Sequence, residues 1–169
     1  GKKVMYINNN RKKAGLLLDS STLNNMSMPV LKSFSKGTII NNKKLTDHTI
    51  KFVNAFDVII PSVYQKPRNL SGGNQQKVLL SVCLGNEPEL LITNEPTRGI
   101  DVGAKAEIHK FLLDAVKKGV GLIVFSSELP ELMSMCDRII VMKNKQIVGE
   151  ISKEEISEEL IMTIAAGGM

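Results

Sequence analysis

Tryptophan is absent from this 169-residue chain, tyrosine occurs twice, and aromatic residues make up only 4% of it. So sparse a supply leaves no stacking platform interleaved with basic residues, which binders of single-stranded nucleic acid need. Cysteine is equally scarce. Cys83 and Cys136 stand apart, with neither CxxC spacing nor a histidine partner, which argues against a disulfide framework or a zinc site and for small core residues in a reducing compartment. No apolar run approaches the roughly 18 to 20 residues that cross a bilayer; the longest, LLSVCL and LIVF, are the length of buried helix segments or strands. The opening GKKVMYINNNRKK is positively charged, but no apolar stretch follows it, so a secretory leader is not expected. Acidic residues are scarce in one half. Residues 1–69 carry twelve Lys and Arg against three Asp, a net +9, and residues 70–169 carry ten against fourteen acids, a net −4. Basic character without aromatics fits a solvated or headgroup-facing surface better than a nucleic-acid groove.

What is present falls into two textures. VMYI reads as a short strand and NNNRKKAGLLL as a loop; SSTLNNMSMPVLKSF reads as a capped helix broken near Pro29. KLTDHTIKFVNAFDV has Ile50, Val53 and Phe56 at helical spacing, with Thr46 or Asp47 available as a cap. From Leu70 onward strands and helices alternate: a helix from Asn74 to Leu84, strand LLIT, a helix from Val102 to Lys118, strand LIVF, a helix near ELPELMSM, strands RIIVM and QIVGEI, and a final helix in SEELIMTIAA. That alternation predicts an α/β fold with a parallel sheet and crossover helices.

Open α/β sheets hold ligands at the carboxyl ends of their strands. Directly after LLIT stand Asn94 and Glu95. A carboxylate held there can act as a base on water or help hold a metal ion, or it can simply cap the turn before Pro96. The stretch LSGGNQQKV joins a hydroxyl, two glycines and a helix start. Unhindered backbone N–H groups at a helix N-terminus form an anion site, although a glycine turn can also do no more than begin a helix.

In this order and spacing, LSGGNQQKV, LLITNEPTRGIDVGAK, VGLIVFSSELPEL and DRIIVMKNKQIVGEI resemble the ATP-binding subunits of ABC transporters, over nearly the whole chain. The likeness is to the second ATPase half of ribose- and galactose-type sugar importers. It implies a partial P-loop NTPase core with a parallel sheet, plus a mostly helical subdomain. Residues 1–14 would be the end of a strand and the sensor loop, 15–73 the helical subdomain ending in the signature motif, and 74–169 the remaining core with a C-terminal hairpin and helix. Ser71, Gly72, Gly73, Asn74 and Gln75 would then contact ATP bound in trans to another ATPase half. Glu95 would be the catalytic glutamate, Asp101 the loop communicating between the two ATP sites, and Asn9 the sensor residue.

Several positions depart from the family pattern. No GxxxxGK[ST] phosphate loop occurs, and the only GK is Gly1-Lys2. The resemblance places that loop upstream of Gly1, together with strands that complete the sheet, so an unpaired edge or apolar surface is expected on the N-terminal side. Asn94 stands where the metal-holding aspartate is expected, a neutral ligand for Mg²⁺. Ser127 stands at the switch-histidine position and cannot exchange a proton near neutral pH as imidazole does. His48 and His109 fall on helical segments and read as packing or surface residues. The resemblance thus implies a chain inactive by itself but part of a sugar-transporting ATPase at the cytoplasmic face of the membrane. Its cofactors would be ATP and Mg²⁺. Its partners would be an N-terminal ATPase half or second ATPase subunit, membrane permease subunits and, indirectly, a sugar-binding protein; no nucleic acid is expected. The alternative is a catalytically dead remnant that serves only as a structural piece docking the permease.

Overall fold

The computed structural model describes residues 3–10 and 15–167, and the chain divides into two compact units between Phe125 and Ser126. This division falls inside the stretch 74–169 expected to form the remaining core. The first unit begins with β1 (Val4–Ile7), α1 (Thr22–Ser27) and a 3-10 stretch (Met28–Phe34), followed by a two-stranded ribbon of β2 (Ser35–Lys36) and β3 (Ile39–Ile40). Then come α2 (Asn42–Ala55), a 3-10 turn (Pro67–Asn69), α3 (Gly72–Leu84), β4 (Leu90–Asn94), α4 (Val102–Lys117) and β5 (Gly121–Phe125).

The strands β1, β4 and β5 form a parallel sheet in that order, with Ile7 beside Thr93 and Thr93 beside Val124. Each strand is added on the same side of the last, and right-handed crossovers therefore put the connecting helices on one face. That face carries Ile7, Leu91 and Thr93, all fully buried, and the core continues into Val78, Leu79, Leu80 and Cys83 of α3 and Ile108 and Leu112 of α4. Strand alternation sends Val4, Tyr6, Ile123 and Phe125 to the opposite face, where each is about half exposed. The apolar surface and unpaired edge expected on the N-terminal side are both present: β1 has no partner on its outer side among the described residues.

The helical region follows the sequence with three differences. The helix over SSTLNNMSMPVLKSF breaks as expected, since the α-helix stops at Ser27 and tightens into 3-10 geometry through Pro29, which has no N–H to continue the ladder. Residues 35–40, within the segment expected to be mostly helical, form a ribbon in which Ser35 pairs with Ile40 and Lys36 with Ile39. In α2 the cap is Asn41, whose Oδ1 accepts the Lys44 N–H at 3.0 Å, and not Thr46 or Asp47, which lie inside the helix. Leu45, Thr49 and Phe56 are buried and Phe52 and Val53 half-buried, while Ile50 is exposed. Phe56, a member of the expected stripe, does turn inward and meets Phe111 of α4, their ring centroids 4.9 Å apart.

The second unit holds α5 (Leu129–Met135), β6 (Arg138–Lys143), β7 (Gln146–Ser152), a 3-10 turn (Lys153–Glu155) and α6 (Glu158–Ala166). β6 and β7 pair antiparallel through a two-residue turn in which Asn144 and Lys145 both have positive φ, the geometry that matches strand twist. Ile139, Val141 and Ile151 of the hairpin pack with Ile161 and Ile164 of α6. Gly149 lets α6 approach: a Cβ there would lie 2.6 Å from Ile164 Cγ2. Among the described residues no helix is long and apolar enough to cross a membrane.

Candidate functional site

The signature stretch starts a 13-residue helix. Ser71 is the N-cap of α3, extended at φ −59° and ψ 160°, and its hydroxyl accepts the Asn74 N–H at 3.3 Å. Its carbonyl accepts the Gln75 N–H. The first-turn N–H groups of Gly72 and Gly73 therefore have no acceptor within their helix, and they lie at its positive end. Ser71 is exposed and Gly72 half-exposed, so this end of the helix is open to solvent.

The neighbouring residues have different surroundings. Gly73 is buried, and a Cβ on it would lie 2.8 Å from Ala104 Cβ of α4, so the α3 backbone packs directly on the Ala104 methyl at this point. The Asn74 side chain faces its own fold: Oδ1 accepts the Ile59 N–H at 2.9 Å and Nδ2 donates to Ser71 Oγ at 3.3 Å. Gln75 is buried, and its Nε2 donates to the carbonyls of Pro67 and Leu70 at 3.0 and 3.1 Å, bracing the loop that leads into the helix.

Asp101 caps α4 as Ser71 caps α3. Its Oδ1 accepts the Ala104 N–H at 2.9 Å, and its Oδ2 would lie 3.8 Å from a Cβ at position 73. The two helix N-termini, one capped by a neutral hydroxyl and the other by a carboxylate, thus sit side by side.

Asn94 ends β4, and Glu95 follows at φ 52°. The Glu95 N–H donates to the Phe125 carbonyl at 2.8 Å, which prolongs the β4–β5 ladder by one bond, and its own carbonyl accepts the Arg98 N–H at 3.2 Å. A left-handed conformation costs a residue with a Cβ roughly 1–2 kcal/mol. Asp57, Glu87, Asn144 and Lys145 share this left-handed conformation, and Glu95 alone of them directly follows a strand of the parallel sheet. Asn9 is exposed just beyond β1, whose parallel pairing with β4 sets it at the same rim of the sheet as Asn94 and Glu95. Residues 11–13 of the sensor loop lie outside the described residues. Ser127 is exposed in the second unit, ahead of α5.

Asn94 and Glu95 offer one neutral amide and one carboxylate, and among the described residues no group of three or more His, Cys, Asp or Glu comes together to hold a metal ion. The donor set does not by itself fit the Mg²⁺ expected from the resemblance. His48 is a packing residue as expected, its ring 5.2 Å from that of Phe34 and 4.7 Å from that of Phe52. Burial, with Lys51 nearby, lowers its pKa. Cys83 is a buried free thiol, its pKa pushed up to about 12 by burial, which leaves it unreactive.

Sequence reasoning passed over Lys77. Its side chain is only 6% exposed, its Nζ lies 2.5 Å from Glu107 Oε2 of α4, and it donates to the Asp57 carbonyl at 3.1 Å. The available signal was a lysine at the head of the apolar run KVLLSVCL, one helical turn beyond Gly73. A buried cation demands partners that the sequence does not name.

Residues 3–98 match the family described as ABC transporter. A xylose import ATP-binding protein of Geobacillus kaustophilus is 44% identical over 165 residues, which is 98% of this chain and 33% of that protein. A ribose import ATP-binding protein of Bacillus subtilis is 44% identical over 163 residues, 96% of this chain and 33% of that one. The chain thus spans about a third of the length of the curated relatives it matches. Among solved structures, the dimeric post-hydrolysis state of an ATP-binding cassette bound to ADP and Pi superposes with a TM-score of 0.76 at 19% identity, covering 90% of this chain and 63% of that one. An ATP-binding cassette of an ABC transporter gives 0.75 at 20% identity, covering 96% and 68%. At these identities the superpositions establish a shared fold.

Proposed function

This chain belongs to the ABC transporter family of ATP-binding proteins, and from that premise we propose that it supplies the signature wall of a composite ATP site in a carbohydrate importer of the ribose type. The observation that carries this reading is the N-terminus of α3, where Ser71 is exposed, Gly72 half-exposed, and the N–H groups of Gly72 and of the buried Gly73 have no acceptor within the helix. A terminal phosphate held by another ATPase half would receive hydrogen bonds from those groups and the favourable end of the helix dipole. ATP, when bound between the halves, supplies the phosphoanhydride bond that is broken.

The residues of this chain position and stabilise charge, the work that phosphoryl transfer leaves to a protein. Ser71, Gly72 and Gly73 meet the phosphate, and Asn74 and Gln75 hold that loop in shape from beneath. Asp101 fixes the start of α4 beside them. Glu95, at the sheet rim, is positioned to polarise a water, with Asn94 and Asn9 offering neutral hydrogen bonds along the same rim. Because the donor set does not fit a metal ion, no step runs through one held here. Ser127 would stand at the switch position without the proton exchange an imidazole provides. The chain lacks its own phosphate loop and is inactive by itself in this reading. Residues 15–73 face the permease at the cytoplasmic side of the membrane.

The test is to combine this chain with its partner ATPase half and measure ATP hydrolysis with wild-type Ser71 and with Ser71→Arg. A large side chain at the helix start should abolish any stimulation that this chain gives the partner. Equal rates would leave only a structural, permease-docking role.

A further inference from the structure

The buried cation at Lys77 sits where three helices meet, and its contacts go beyond packing. Asp57, whose carbonyl it holds, follows α2 at φ 49° and begins the strap that leads away from the helix. Ile59, two residues along the strap, donates its N–H to Asn74 Oδ1. Asn74 and Lys77 are three residues apart and so share a face of α3. The end of α2 is thereby fastened to the first two turns of α3 at two points. α3 is in turn fastened to α4 by the Lys77–Glu107 ion pair and by the close approach of Gly73 to Ala104.

We infer that Lys77 is a positioning residue that carries the placement of α2 into the two helix N-termini of the composite site, those of Ser71 and Asp101. An apolar side chain of the same length would fill the space at no desolvation cost, so retaining an ammonium there is explained by what it holds in register. A shift of α2 pulls the strap, the strap pulls Asn74 and Lys77, and Glu107 takes α4 along. Gly73 and Ala104 leave no slack between the two helices, because packed interiors transmit displacement instead of absorbing it. This inference rests on the proposed reading for its functional consequence, but the mechanical tie stands in this chain alone.

Two measurements separate these levels. In the 169-residue chain, hydrogen exchange is compared among wild type, Lys77→Met and Lys77→Arg, with the melting temperature of each. Lys77→Met should speed exchange about tenfold or more at the Ile59 amide and in the first turn of α4 together, with elements away from the junction unchanged, and Lys77→Arg should restore protection. Faster exchange spread evenly over the unit, or confined to one of the two sites, overturns the tie. Glu107→Gln, which changes only the half-exposed partner, should loosen α4 alone and serves if Lys77→Met does not fold. In the assembled importer, Lys77→Met should lower the permease-stimulated kcat about tenfold with KM for ATP changed less than twofold, and Lys77→Arg should recover it. An unchanged stimulated rate in an importer that hydrolyses ATP overturns the transmission role. No hydrolysis in the wild-type assembly refutes the composite-site reading instead, and the exchange result still decides the tie.

Discussion

Glu95 combines a strained backbone with a carboxylate. Its φ of 52° continues the ladder to Phe125 and then turns the chain sharply at the sheet rim. Glycine would adopt that conformation without a Cβ penalty. Glu95→Gly is therefore expected to raise stability by about 1 kcal/mol, read as a higher midpoint in thermal or denaturant unfolding, while removing whatever hydrolysis the assembled site performs. A lower midpoint would mean that side-chain contacts of Glu95 outweigh the strain, and the position would then be structural. The acidic residue after the strand was legible in the sequence. Its left-handed backbone was not, because glutamate gives no sign of it.

Among the elements, the α3–α4 contact is decided by one missing methyl group. The 2.8 Å separation between a Cβ at 73 and Ala104 Cβ forces the helices apart if alanine replaces glycine. Gly73→Ala should cost about 1–3 kcal/mol, and Ala104→Gly should return part of that loss in the double variant, as expected of residues in direct contact. Additive effects from the two substitutions would disprove the contact. In the sequence, SGG pointed to a phosphate-seeking turn, which accounts for Gly72 and the open helix end. The second glycine is also demanded by a helix that lies about 30 residues further along the chain, a distance over which local pattern carries no information. The α2 stripe shows the same limit. Ile50, Val53 and Phe56 have helical spacing, yet Phe56 is buried against Phe111 of a distant helix while Ile50 faces solvent.

For the molecule as a whole, the parallel sheet is covered on one face. Such sheets are ordinarily buried on both, yet Val4, Tyr6, Ile123 and Phe125 remain about half exposed. The chain as given should bind a hydrophobic fluorescent dye and self-associate at high concentration, and Ile123→Glu should reduce both without lowering the melting temperature. An unchanged dye signal would locate the binding elsewhere, for instance at exposed Met28 and Ile39 of the helical region.

The sequence by itself determined the order and type of most elements, because hydrophobic period, capping residues and turn residues act over one or two turns of chain. It also determined the family, since the signature, the strand with its glutamate and the GID loop keep their order and spacing. Only the tertiary structure decided what sits against what: the division at Phe125, the bare sheet face, the Gly73–Ala104 contact, and the place of Lys77 between α2 and α4. Those depend on segments far apart in the chain being brought together, where a single methyl or a buried charge outweighs any local preference.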